Sequence, residues 1–192
     1  YSINRTHFSV VVDSSLRADL DLKVVTGGIV LSTIPGVELE GLSLNATKEG
    51  AVVSLNNGTV LSGDVWMHTA TGGTQFRWYN VSVMNYPTVT LSESSGIINA
   101  TFSQHTPLNG SMAIMVVNGM GDVKFNMDMS GINSAYIRTN KDAQLIGDEG
   151  FVTETPSAFH SANYPSDHTV NVRLNVTNSF LGGITVDGRW AA

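Results

Sequence analysis

A chain of 192 residues, 42% of them apolar and 19 of them glycine, is long enough to bury a core within one generous β domain. Only 14% of residues are charged, and the net charge of −6 comes without a basic block, which argues against nucleic acid or an anionic membrane as partner. The lack of cysteine excludes disulfides and thiolate metal sites, and no apolar run approaches the ~20 residues that span a bilayer as a helix.

Taken in order, residues 1–5 are polar, and Phe8, Val10 and Val12 then alternate with His7, Ser9 and Val11. A period of two predicts a strand over 6–12. Asp13-Ser14-Ser15 detaches it from the body, because short polar side chains compete for backbone hydrogen bonds. Leu20, Leu22 and Val24 form the next alternating set, and Thr26-Gly27-Gly28 turns into Ile29-Val30-Leu31. Leu42 and Leu44 fall out of phase with Val37 and Leu39 across Gly41, which predicts a β-bulge. Ala51, Val53 and Leu55 lead through Asn56-Asn57-Gly58 to Thr59-Val60-Leu61, read as a hairpin. Val65 and Met67 precede the turn at Thr71-Gly72-Gly73, and Phe76 and Trp78 return with Arg77 and Tyr79 on the other face. Pro87 lies just before Val89 and Leu91, so that strand starts at the proline or runs along an edge, and Ile98, Ala100 and Phe102 follow.

The clearest pattern lies between Ser111 and Ser130. Met112, Ile114 and Val116 alternate with apolar Ala113, Met115 and Val117, as expected of a strand covered on both faces. Asn118-Gly119-Met120-Gly121 reverses the chain. Val123, Phe125, Met127 and Met129 then point one way and Asp122, Lys124, Asn126 and Asp128 the other, which predicts a central hairpin. Residues 139–168 are the least regular. Val170, Val172, Leu174 and Val176 alternate cleanly, and Gly182-Gly183 leads into Ile184, Val186 and Trp190. Turn signals at this spacing predict an all-β fold, an antiparallel β-sandwich of jelly-roll type with about 12 short strands. No sustained internal repeat and no linker is evident. Residues 1–15 read as a donor strand with its hinge and 16–192 as one sandwich domain.

Seven asparagines stand in N-x-S/T sequons: Asn4, Asn45, Asn57, Asn80, Asn99, Asn109 and Asn175. Together with a start at Tyr1 and no basic-then-apolar leader, they predict a mature, exported chain carrying N-glycans. None of the G-x-S-x-G, H-E-x-x-H, Walker or EF-hand patterns occurs, so no catalytic residue is assigned and the chain is read as a non-enzyme. Glu38 and Glu40 share a face, as a glycosidase pair would, but i,i+2 carboxylates on a polar strand face are usually just solvated. His160, Asp167 and His168 lack the spacing of a transition-metal site. Asp142, Asp148 and Glu149 form an acidic loop that could hold Ca²⁺ through oxygen, against the plainer reading of a solvated surface. No resident metal or cofactor is assigned.

The strand HFSVVVD, the polar hinge, the cysteine-free Gly/Ser/Thr/Asn-rich β body and the sequon density together resemble the subunits of archaeal extracellular filaments, the thread and bundling-pilus type, with TasA-like fibres more distant. The resemblance implies donor-strand complementation, with Phe8, Val10 and Val12 plugging the next subunit's groove. It also implies a polymer of identical subunits at the cell surface, possible contacts between neighbouring filaments, and a part in adhesion or biofilm. Lys–Asn or Lys–Asp isopeptide bonds occur in such filaments, and Lys23 and Lys124 would be the lysines here. Two other readings compete. A secreted carbohydrate-binding or adhesin module would display Trp66, Trp78, Tyr79 and Trp190 as a platform, and a secreted hydrolase stands third.

Overall fold

The computed structural model describes residues 14, 16–130, 133–164 and 171–191. Their regular structure is all strand: β1 (Arg17–Val24), β2 (Ile29–Ser32), β3 (Glu38–Ala46), β4 (Ala51–Leu55), β5 (Val60–Leu61), β6 (Val65–Thr71), β7 (Thr74–Tyr79), β8 (Ser82–Val83), β9 (Thr88–Ser95), β10 (Ile98–Gln104), β11 (Met112–Met120), β12 (Val123–Ser130), β13 (Ala135–Thr139), β14 (Gln144–Glu149), β15 (Phe151–Thr155), β16 (Ala158–Ser161), β17 (Val172–Asn178) and β18 (Ile184–Ala191).

The strands do not form the expected antiparallel sandwich. Apart from β13–β16 and β15–β16, every pairing is parallel. Down one sheet Leu31 pairs with Val53, Val53 with Phe76, Phe76 with Ala100 and Ala100 with Phe125, so the chain advances one rung in steps that lengthen from 22 to 25 residues. This is a β-solenoid. The repeat that sequence reading missed is this rung, one strand in each of two facing sheets.

The first sheet (A) has eleven strands and the second (B) seven. In space the rungs run β1–β2, β3–β4, β6–β7, β9–β10, β11–β12, β17–β18 and β13–β14, with β5 and β8 forming a short third flank beside β3. The last two rungs are out of chain order. The segment after β12 skips a rung position, builds β13 and β14, and folds β15–β16 antiparallel against β13. The C-terminal strands then fill the gap, β17 between β11 and β13, β18 between β12 and β14. Asn140 fastens this inserted rung: its Oδ1 accepts the Asn178 amide at 2.9 Å and its Nδ2 donates to the Asn178 carbonyl at 3.2 Å.

Inward residues follow the period of two. Val123, Phe125, Met127 and Met129 are buried, as are Val172, Leu174 and Val176. Trp78 stacks on Phe102 one rung away, with ring centroids 5.1 Å apart, and the Trp78 Nε1 donates to Gln104 Oε1 at 2.8 Å. The expected hairpins are not hairpins. β11 and β12 belong to different sheets, and so do β4 and β5, so the residues between them turn the chain from one layer to the other. Outward Met115 and Val117 are consequently exposed rather than covered. The bulge at Gly41 is present: Ala18 pairs with Leu39 and Asp19 with Gly41, leaving Glu40 as the extra residue.

The glycine at the A-to-B corner is required by its neighbours. Gly121 has φ +111°, and a Cβ there would collide with the Gly96 carbonyl oxygen one rung away. In urea melts, Phe125→Ala should cost roughly 3–5 kcal/mol, because it opens a cavity in an otherwise filled stack. Lys124→Ala, on the outer face, should stay within about 0.5 kcal/mol. Equal losses would contradict the inward and outward assignment of β12.

Candidate assembly surface at the solenoid ends

A parallel solenoid has two different ends, and among the described residues only one is built over with a further element. At the β1–β2 end, the inward Leu20, Leu22, Val24 and Leu31 are only partly buried, although each packs against the core. Among the described residues, no strand pairs with the free side of β1 or β2. Leu16, Val25 and Val30 near the same rim are exposed, Val30 at 80%. The outward side chains of β1, Arg17, Asp19, Asp21 and Lys23, are charged and exposed. Charge on an edge strand discourages indiscriminate pairing while leaving its backbone donors and acceptors available to a matched strand.

At the far end, the β15–β16 hairpin lies on β13, with Phe151 and Phe159 buried beneath it. Gly188 makes room for that cap, since a Cβ there would sit 3.0 Å from the Phe151 ring. In sheet B, no strand among the described residues pairs with the outer side of β14, where Ala143 and Leu145 are partly buried and the register shifts between Ile146 and Asp148.

The sequence-derived site residues distribute as follows. Asn4, Phe8, Val10, Val12, Asp167 and His168 lie outside the described residues. Asn57, Asn99, Asn109 and Asn175 are exposed, while Asn45 and Asn80 are half-buried. The Asn80 Oδ1 accepts the His105 amide at 2.7 Å. Glu38 and Glu40 are bridged by one guanidinium, Arg17 Nε to Glu38 Oε2 at 3.1 Å and Arg17 Nη1 to Glu40 Oε1 at 3.5 Å. That is a surface ion pair rather than an acid and a base flanking a cleft. Among the described residues, no three His, Asp or Glu side chains converge as metal ligands, and the side chain of Asp148 lies outside that description. His160 instead packs against the Tyr164 ring at a tilt of 33°, 4.7 Å between centroids.

The aromatic platform does not exist as one surface. Trp78 is core, Trp66 and Tyr79 are exposed on different sheets, and the Trp190 Nε1 donates inward to the Asn133 carbonyl at 3.0 Å. Lys23 and Lys124 are exposed and stand beside Asn45 and Asn99 across neighbouring strands. An isopeptide bond is built in a dry interior site, and both lysines instead face solvent.

Sequence reading overlooked one polar cluster. His105 Nδ1 lies 3.0 Å from Ser130 Oγ, and its Nε2 lies 3.1 Å from Ser103 Oγ and 3.3 Å from Asp128 Oδ2. Only rung pairing brings Ser103 beside Asp128, and it is invisible without the register. Water reaches His105 and Asp128 equally, each side chain being 44% exposed, so the cluster lacks the dry surroundings that sharpen catalytic electrostatics.

No family model, curated protein or solved structure matches the chain. Among the described residues, no helix is long and apolar enough to cross a membrane.

Glycopeptide mapping of natively exported protein should find the exposed Asn57, Asn99, Asn109 and Asn175 occupied more fully than Asn45 and Asn80. Unmodified peptides at all four exposed sites would remove the glycan reading.

Proposed function

We propose that this protein is a structural subunit of an extracellular surface filament, joined to identical subunits by β-strand addition at the ends of the solenoid. The observation that carries the reading is the β1–β2 rim: a parallel sheet edge without a described partner, beside the half-covered Leu20, Leu22, Val24 and Leu31. Main-chain bonds along such an edge supply affinity, and alternating apolar side chains supply register. The two ends of a parallel stack are unlike each other, so a contact between opposite ends is heterologous and extends without closing. The alternating segment Phe8, Val10, Val12 is the proposed donor, and the free side of β14 with Leu145 on the next subunit is its proposed acceptor. Sequons on exposed positions of both sheets and of the turns suit a surface that faces the cell exterior. The adhesin reading loses its main support once the four aromatic side chains are dispersed.

Deletion of residues 1–13 should leave a folded body that no longer polymerises. In sedimentation, full-length native protein should run as polymers, and the truncated chain at about the 20.5 kDa of one subunit. Supplying the peptide 4–14 in trans should occupy the acceptor edge without rebuilding fibres. A full-length protein that stays monomeric at high concentration contradicts the filament reading.

A further inference from the structure

One column of the interior is polar. Where each rung passes from sheet A to sheet B, Ala46, Thr69, Glu93, Asn118 and Asn178 stand in successive register. Glu93 is 2% exposed. Its Oε2 accepts from Thr69 Oγ1 and from Thr74 Oγ1, the latter at 2.9 Å, while the two threonine oxygens lie 2.6 Å from each other.

Those three oxygens make three mutual contacts, and the hydroxyls bring two protons. If Glu93 is charged, one contact at hydrogen-bonding distance must do without a proton, two lone-pair-bearing oxygens facing each other in a buried site. A proton on the carboxyl closes the ring with one donor per contact. On the register-paired residue of the next rung, Asn118 Oδ1 is buried with no hydrogen-bond partner among the described residues, so it offers the carboxyl no donor. Burying an unpaired acceptor is costly, and a charged one more so.

We propose that Glu93 is held as a neutral carboxylic acid in the folded protein at neutral pH, and that loss of its proton to solvent unlatches the corner between the β6–β7 and β9–β10 rungs. Among the described residues, no counter-charge competes for the site. The inward neighbours are Met67 and Thr69 from β6, Thr74 and Phe76 from β7, Ile98 from β10 and Val116 and Asn118 from β11, none of which titrates. Desolvation pushes the carboxyl above its ordinary range, opposed by hydrogen bonds from Thr74 and from the Gly73 and Ser95 amides. The folded state therefore binds this proton more tightly than the unfolded chain, whose glutamates titrate near ~4.3. The stabilisation is complete below that value and is lost as pH rises through the folded-state value.

The test compares urea midpoints of the full chain and Glu93→Gln between pH 4 and 9, since the glutamine amide supplies a permanent donor. The wild type should lose stability relative to Glu93→Gln as pH rises above ~4.3, approaching a tenfold fall in folding constant for each pH unit up to the folded-state value and levelling off beyond it. Parallel profiles overturn the proposal. Should Glu93→Gln fail to fold, the ¹³C carboxyl resonance of Glu93 in the wild type decides alone: a protonated shift at pH 7 supports the latch, and a carboxylate shift overturns it. Stability at pH 7 that vanishes on dialysis against EDTA would assign the missing positive charge to a bound cation, and also overturns it.

Discussion

The structure depends on main-chain hydrogen bonds passing from rung to rung, and on corners tight enough to keep those rungs in register. At the A-to-B corner the ladder continues through the turn itself. The Ala51 amide donates to the Gly73 carbonyl, Ile98 to Asp122 and Val123 to Gly183. This continuity demands backbone contact closer than a side chain permits, and the glycines at the corner provide it. Asn118 and Asn178 reinforce the corner from inside, each donating its Nδ2 to the Gly121 carbonyl at 3.0 Å. Interior columns of Leu, Val, Met and Phe then fill the space that the ladder sets between the sheets.

The inserted rung changes what the C-terminus does. In a solenoid built in strict chain order, removing the last rung would shorten the stack. Here β17 and β18 separate β11–β12 from β13–β14, so their loss would part the body from its own cap. The contacts that close this gap join residues far apart in sequence, such as Asn140 with Asn178 and Lys141 Nζ with the Gly182 carbonyl at 2.6 Å. Long-range parallel pairing costs chain entropy before it returns contacts, so this rung is expected to form late in folding. The same architecture leaves its ends unlike each other, one covered by a hairpin and one presenting half-covered leucines. End-to-end assembly draws on that asymmetry.

Much of the inward and outward assignment was legible in the sequence, because alternation is a property of each strand alone. Phe125 against Lys124 and Trp78 against Arg77 came out as the structure has them. Pairing was not legible. A hairpin and a turn between two sheets share the same flanking alternation and the same Asn-Gly chemistry, so residues 118–121 signalled a reversal without saying which layer received the chain. The rung period was obscured by its drift and by the displaced final rung. A clue was present in Gly27, Gly50, Gly73, Gly96 and Gly121, which recur at nearly constant spacing and mark the stacked corner. Glu93 gave no local warning, since its burial follows from standing between Thr69 and Asn118 on neighbouring rungs. The dispersal of Trp66 and Tyr79 over two sheets likewise follows from register alone.

The displaced rung offers the sharpest test of the fold, because chain order alone would never place β18 beside β12. Lys124 and Thr185 are register partners on the outer side of those strands. Adjacent strands lie about 4.8 Å apart, within the Cα separation that a disulfide spans. The chain has no native cysteine to interfere. Lys124→Cys combined with Thr185→Cys should form an intramolecular disulfide on mild oxidation of the folded protein, read as a two-proton mass loss and a bridged tryptic peptide. If that bridge fails to form while Met115→Cys with Lys124→Cys, register partners in a hairpin turning at 118–121, cross-links readily, residues 112–130 form a hairpin and the solenoid account is wrong.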